Sequence, residues 1–180
     1  MILKHKTVKI VVSGDGGVGK TSFLNRLVND RFNDDNELTK GVEFFSKVIQ
    51  VNGTDYNFIL WDFAGQSQFK EILDNFVDGS IAALILFDLS RINTIETVLN
   101  WIDKIKQLGS IPILILGTKM DLINSKNMEY IDDYINEVVE GYGNVYDYIK
   151  ISSKTGHNIN QAFLSLIRKI SLLENKENLS

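Results

Sequence analysis

The sequence predicts an α/β fold of three layers, in which a six-stranded, mixed but mostly parallel sheet is flanked by helices. Two patterns carry that prediction. Short, wholly apolar runs alternate with segments whose apolar residues recur at helical spacing, and such runs suit parallel strands covered on both faces. One pair of strands is instead joined at Asn52-Gly53, the signature of a tight antiparallel hairpin. Right-handed crossovers then place helices on both sides of the sheet.

Residues 8–13 are apolar and β-branched and end in the glycine-rich stretch 14–19. Residues 20–28 follow as a helix with Phe23, Leu24 and Leu27 on one face. The polar, irregular stretch 30–40 reads as a loop, and 42–51 and 56–61 as the two hairpin strands. Residues 62–78 show no clean period, whereas 81–87 and 113–116 are continuous apolar strands. Pro112, the only proline, lies at a strand start where its missing N–H does no harm. Helical spacing recurs over 94–108, 129–140 and 161–173, and 145–151 supplies the sixth strand. The 180 residues are expected to form a single domain with its core from about residue 7 to 170 and a short polar tail at 174–180.

Composition narrows the function. A net charge of −4, with no long basic block, argues against a nucleic-acid partner. There is no cysteine, hence no disulfide, no thiolate metal site and no cysteine-linked lipid anchor in this chain. The first residues lack the apolar run of a signal peptide, and the apolar runs are too short to span a bilayer. A cytoplasmic location is expected, with membrane association only through partners or a missing tail.

On sheets of this kind ligands bind at the carboxyl ends of strands, so residues just after strands are the informative ones. Gly14-Asp15-Gly16-Gly17-Val18-Gly19-Lys20-Thr21 matches G-x-x-x-x-G-K-[ST], a loop whose backbone N–H groups cradle phosphates at a helix N-terminus. Asp15, Gly16, Gly17, Val18, Gly19, Lys20, Thr21 and Ser22 are the candidate phosphate-binding residues. Lys20 would reach the β- and γ-phosphates, and the Thr21 hydroxyl would ligate Mg²⁺. The same glycines satisfy G-x-G-x-x-G, the dinucleotide fingerprint, which requires an acidic residue about 20 positions on at the end of a second strand. Asp34 and Asp35 have that spacing but fall in the predicted loop, and Lys20-Thr21 would be left unexplained. A phosphate loop alone says only nucleoside triphosphate.

Four further segments choose the base and the reaction. Asp62, at a strand end, can hold Mg²⁺ through a water, the Gly65 N–H can meet a γ-phosphate, and Gln66 can orient an attacking water. Taken separately, Asp62 is equally a helix cap and Gln66 a solvated side chain. In Thr118-Lys119-Met120-Asp121, the Asp121 carboxylate can accept from guanine N1–H and N2–H, with the Lys119 stem over the base. Adenine offers neither donor and would leave that carboxylate unpaired. Alone, Lys119 and Asp121 also fit a surface ion pair in a turn. Backbone N–H groups of Ser152-Ser153-Lys154 can meet the guanine carbonyl, although serine-rich turns after strands are common. Thr39 can join the Mg²⁺ shell when a γ-phosphate is present, ordering its loop, but a lone loop threonine carries no signal. His5 and His157 read as solvated surface histidines.

The ordered segments GDGGVGKT, TKGVEF, WDFAGQ, TKMD and SSKTG resemble the Ras superfamily of small GTPases, most closely its Rab and Rho-like branches, from about Thr7 to Ile170. The resemblance implies a P-loop G domain that binds GTP or GDP with Mg²⁺ and works with effector, exchange-factor and GTPase-activating proteins. It assigns Lys20 to the phosphates, Thr21 and Thr39 to Mg²⁺, Asp62 to the metal through water and Gln66 to the attacking water. Lys119 and Asp121 become the base-specificity pair, Ser153 and Lys154 complete the guanine pocket, and Phe32 stands where the family often places an aromatic against the base. Residues 30–41 and 63–78 correspond to its two switch segments.

The chain departs from the pattern in three places. Thr118 replaces the common asparagine, Ser67-Gln68 replaces the usual Glu-Arg, and no prenylation cysteine is present. Arg26, Arg31, Arg91 and Arg168 lie outside the usual position of a built-in arginine finger, with Arg31, in the first switch segment, left as the open alternative, so hydrolysis by in-line water attack is expected to be slow. The competing classes are a non-catalytic nucleotide-binding module and a P-loop kinase. Single-turnover phosphate release discriminates the first, and a preference for ATP the second.

Overall fold

The computed structural model describes residues 4–33, 39, 41–51, 53–63, 78–107 and 109–177. Strand β1 (Lys4–Ser13) passes through the glycine-rich loop into helix α1 (Lys20–Asn29). Strands β2 (Val42–Val51) and β3 (Thr54–Phe63) pair antiparallel. Then come β4 (Ala82–Asp88), helices α2 (Ile92–Glu96) and α3 (Val98–Gln107), and β5 (Ile113–Thr118). A 3₁₀ turn at Met120–Leu122, helix α4 (Ser125–Gly141), β6 (Val145–Lys150) and helix α5 (Ile159–Glu177) complete the described order.

The sheet runs β2-β3-β1-β4-β5-β6, and every pairing except β2 with β3 is parallel. This is the expected six-stranded, mostly parallel sheet with one antiparallel edge. Strand β4 shows why its sequence is wholly apolar. Ala82, Leu84 and Leu86 face a core closed by Phe23 and Leu24 of α1 and Phe163 and Leu166 of α5. Ala83, Ile85 and Phe87 face a second core closed by Trp101 and Ile102 of α3 and Ile135 of α4. All seven residues of the strand are buried.

Several boundaries differ from the sequence reading. Strand β1 starts at Lys4 because its polar first residues pair in register with Thr54 to Asn57. Asp62 and Thr118 fall inside strands, Asp62 as the last β3 residue paired with β1 and Thr118 as the last residue of β5, where no apolar pattern marks them. The single helix expected over 94–108 is divided at Thr97, whose hydroxyl shares its one proton between the Thr94 carbonyl at 3.0 Å and Asp15 Oδ2 at 2.9 Å. Such back-bonding competes with the helical ladder. Helix α5 runs to Glu177, past the start of the expected polar tail. Its Glu174 carboxylate accepts from Tyr56 Oη and Lys6 Nζ, both at 3.0 Å, fixing the end of the helix to β3 and β1.

Because β1, β3, β4, β5 and β6 run parallel, their carboxyl ends share one edge of the sheet. The glycine-rich loop, Asp62, Asp88, Thr118 and Ser152 all lie at that edge.

Candidate nucleotide site

The loop between β1 and α1 is shaped by glycines, of which Gly14 leaves no room for a side chain and Gly19 takes a left-handed backbone. Gly14 has φ of 137°, and a Cβ there would lie 2.1 Å from the Leu86 carbonyl oxygen of β4. Gly19 caps α1 in the left-handed region at φ 96°, and no side chain caps that helix. The first N–H groups of α1 are therefore left for an anion.

Side chains from other elements hold the loop's carbonyls. Arg91 Nη2 donates to Gly16 O at 3.1 Å, Lys119 Nζ to Gly17 O at 3.0 Å, and Thr118 Oγ1 to Val18 O at 2.6 Å. In a trans peptide the N–H opposes the preceding carbonyl, so carbonyls pulled outward turn the N–H groups inward. Lys20 Nζ donates to Gly14 O at 3.0 Å and Asp15 O at 2.8 Å. Burial lowers its pKa to about 8, against the attraction of Asp62 and Asp15. The Asp15 side chain turns away from the loop, accepting from Thr97 Oγ1 at 2.9 Å and Trp101 Nε1 at 3.0 Å. Ser22 is half-buried in the first turn of α1.

Beside Lys20, three oxygens converge from three segments. Thr21 Oγ1 donates to Asp62 Oδ2 at 2.5 Å and lies 2.6 Å from Thr39 Oγ1. Asp62 is fully buried, and burial raises its pKa to about 6 in spite of the Thr21 hydrogen bond and the Lys20 charge. Its Oδ1 is buried with no hydrogen-bond partner among the described residues. Hydroxyl and carboxylate oxygens are donors for a hard divalent cation, and the orphaned Oδ1 fits a role toward such an ion or its water. No cluster of three histidine, cysteine or acidic residues is found among the described residues. The set therefore suits Mg²⁺ shared with phosphate oxygens better than a cage made by protein alone.

At the other end of the loop, Thr118 is buried, and Lys119 adopts a left-handed backbone at φ 57°. Asp121 lies exposed in the 3₁₀ turn, accepting from Ser152 Oγ at 2.5 Å through Oδ1. Ser153 and Lys154 form the turn after β6, and their carbonyls accept from Arg26 Nε and Nη2, both at 2.8 Å. Phe32, two residues past the cap of α1, is half-buried. Gly65, Gln66, Ser67 and Gln68 lie outside the described residues, as does most of the segment 63–78.

The sequence reading missed Asp88, Arg91 and Arg26 as parts of this site. Asp88 Oδ2 takes Arg91 Nε and Lys119 Nζ, each at 2.8 Å, and both cations reach on to the phosphate loop. Burial opposes the Asp88 charge, yet hydrogen bonds from Lys119, Ser90 and Arg91 hold its pKa below the usual carboxylate value. The sequence signal was only an aspartate closing an otherwise apolar run, which does not show what Asp88 contacts.

The model of the Ras family matches residues 9–172. The chain belongs to the Ras family. It is 32% identical to human Ras-related protein Rab-22A, over 92% of this chain and 84% of that protein. Identity to bovine Ras-related protein Rab-4A is 31%, over 90% of this chain and 73% of the relative. A mouse Ras and EF-hand domain-containing protein homolog is 33% identical over 94% of this chain but only 28% of its own length. As a Rab-like member of the family, the chain is a small GTPase: it binds guanine nucleotide, hydrolyses GTP and acts as a switch with regulators and effectors. No helix among the described residues is long and apolar enough to cross a membrane.

Proposed function

We propose that this small GTPase switches through Mg²⁺-dependent GTP binding and slow hydrolysis to GDP and phosphate, with segments 30–41 and 63–78 sensing the γ-phosphate. The observation that carries the reading is the meeting of Lys20, Thr21, Thr39 and Asp62 at a loop whose N–H groups are turned inward. Asp121 and Ser152 stand at the same sheet edge.

In this reading the inward N–H groups of residues 15–22 hold the phosphates and Lys20 reaches the β- and γ-phosphates. Mg²⁺, when bound, supplies Lewis-acid offset of phosphate charge. Thr21 and Thr39 would hold it directly and Asp62 through a water. The Gly65 N–H meets the γ-phosphate, and Gln66 orients the water that attacks in line. Asp121 accepts from guanine N1–H and N2–H, Thr118 and the Lys119 stem flank the base, and Phe32 lies against its edge. Backbone groups of Ser152, Ser153 and Lys154 meet the guanine carbonyl. Arg26 and Arg91 are committed to backbone carbonyls, so neither serves as an internal arginine finger, and turnover stays slow until a GTPase-activating partner supplies charge. The 180 residues act as one G domain, cytoplasmic and engaged by effector and exchange-factor proteins.

Competition for bound fluorescent GDP tests the base reading: unlabelled GTP displaces it and ATP does not. Equal displacement by ATP overturns it. Single-turnover assays test the catalytic reading, in which Gln66→Leu keeps GTP binding but slows phosphate release about a hundredfold. A wild-type rate in that variant removes Gln66 from the mechanism.

A further inference from the structure

The Arg26 guanidinium, on α1, reaches across to the turn after β6 and clamps two consecutive carbonyls, Ser153 O through Nε and Lys154 O through Nη2, both at 2.8 Å. Its remaining arm, Nη1, meets the Asp30 carbonyl and Oδ1 at 3.2 Å, where the segment 30–41 begins. The Arg26 side chain is 20% exposed; its Nε bond to Ser153 O is half-buried, while the Nη1 and Nη2 bonds lie at the surface.

Holding those carbonyls fixes the two peptide planes, and among the described residues there is no cis peptide that would break the opposition of C=O and N–H. With Ser153 O drawn toward α1, the Lys154 N–H is turned away from it, and among the described residues that N–H donates to no protein group. With Lys154 O held likewise, the Thr155 N–H donates to Ser152 Oγ at 3.2 Å. The Ser152 hydroxyl thereby keeps its own proton for Asp121 Oδ1, at 2.5 Å.

We propose that Arg26 is a specificity-positioning residue that never touches the nucleotide. It aims the Lys154 N–H at the 6-oxygen of guanine and, through Thr155 and Ser152, holds Asp121 in place. The proposal rests on the guanine-pocket reading above. A lysine cannot do the same work, because one ammonium lacks the planar fork that spans adjacent carbonyls.

The test compares dissociation constants of wild type, Arg26→Ala and Arg26→Lys for three diphosphates with Mg²⁺: GDP, inosine diphosphate, and 2-aminopurine riboside diphosphate. The first two carry the 6-oxygen and the N1 proton, and the third lacks both. Loss of one aimed donor weakens GDP and inosine diphosphate by about tenfold in Arg26→Ala. The 2-aminopurine nucleotide weakens by less than about threefold, and Arg26→Lys falls between wild type and Arg26→Ala. Equal loss across all three nucleotides means that Arg26 merely supports the fold, and no loss means that the turn holds itself; either overturns the proposal. If Arg26→Ala melts below the assay temperature, Arg26→Lys alone decides, because its loss must again be confined to nucleotides with the 6-oxygen. A wild-type protein that binds GDP, the 2-aminopurine nucleotide and ADP alike refutes the guanine-pocket reading itself, whatever the variants do.

Discussion

The two halves of the nucleotide site are built on opposite electrostatic terms. At the phosphate end Lys20 and Asp62 are 5% and 0% exposed, with pKa values drawn to about 8 and about 6 by burial. Three side chains from elsewhere also tether the loop's carbonyls. At the proposed base end Asp121 and Lys154 are exposed, and the groups that would read the base are a single carboxylate, bonded to Ser152, and the backbone of a turn bonded to Arg26. The phosphate half thus carries a charging cost that a bound charged ligand would offset, whereas in the proposed reading the base half would select by pattern at little cost to the fold.

The largest expected effect breaks the phosphate half while stabilising the empty protein. Lys20 has a folded pKa near 8 against 10.5 when unfolded, so its penalty is complete below about pH 8 and disappears as pH rises to about 10.5. Asp62 runs the other way: its folded value of about 6 exceeds 3.8, so stability is highest in acid and is lost as pH rises through 6. Between pH 6 and 8 both penalties are present. Nucleotide-free Lys20→Gln is therefore expected to exceed wild type at pH 7 by up to about 3 kcal/mol in urea unfolding, with the gap closing toward pH 10.5. The same variant loses at least about a hundredfold in GTP affinity, because a buried charged partner of the phosphates is gone. A variant less stable than wild type at pH 7 would refute the stored charging cost.

The same contrast explains what the sequence made legible. The sheet, its antiparallel edge and its helical layers followed from apolar runs and from Asn52-Gly53, because burial on two faces writes itself as composition. Lys20, Thr21 and Asp121 could be proposed from the sequence because the chemistry proposed for them needs fixed residue types at fixed spacing. The supports were not, since Arg26 acts on a turn 127 residues away and Asp88 on side chains from two different loops. No local pattern records such contacts. The break at Thr97 was hidden for the same reason: its hydroxyl serves Asp15, 82 positions earlier.

At the base end the change is in selectivity rather than stability. Asp121→Asn keeps an oxygen for the Ser152 hydroxyl but replaces an acceptor by an amide donor. GDP should weaken by about a hundredfold, as an unpaired N–H is left facing a donor. Xanthosine diphosphate, which carries a carbonyl where guanine has its amino group, should bind the variant better than GDP does. The melting temperature should stay within roughly 2 °C of wild type, as for an exposed substitution. Isothermal titration alongside thermal melts separates the two readouts, and a large stability loss would mean that the base half is not cheap.

The smallest effect sharpens the boundary between the halves and the scaffold. Trp101 is buried at 2% exposure, and its Nε1 donates to Asp15 Oδ1 at 3.0 Å, tying the phosphate loop to α3. Trp101→Phe removes that donor and part of the ring, while Thr97 still holds the other carboxylate oxygen at 2.9 Å. Loss of one charge-assisted bond with a partner retained should lower stability by about 1–2 kcal/mol in urea unfolding. GDP affinity should change by less than about threefold, because the loop's carbonyls remain tethered by Thr118, Lys119 and Arg91. If affinity instead fell a hundredfold, the Asp15 latch would belong to the binding surface itself. The phosphate loop would then owe its shape to α3 as much as to the cations that hold it.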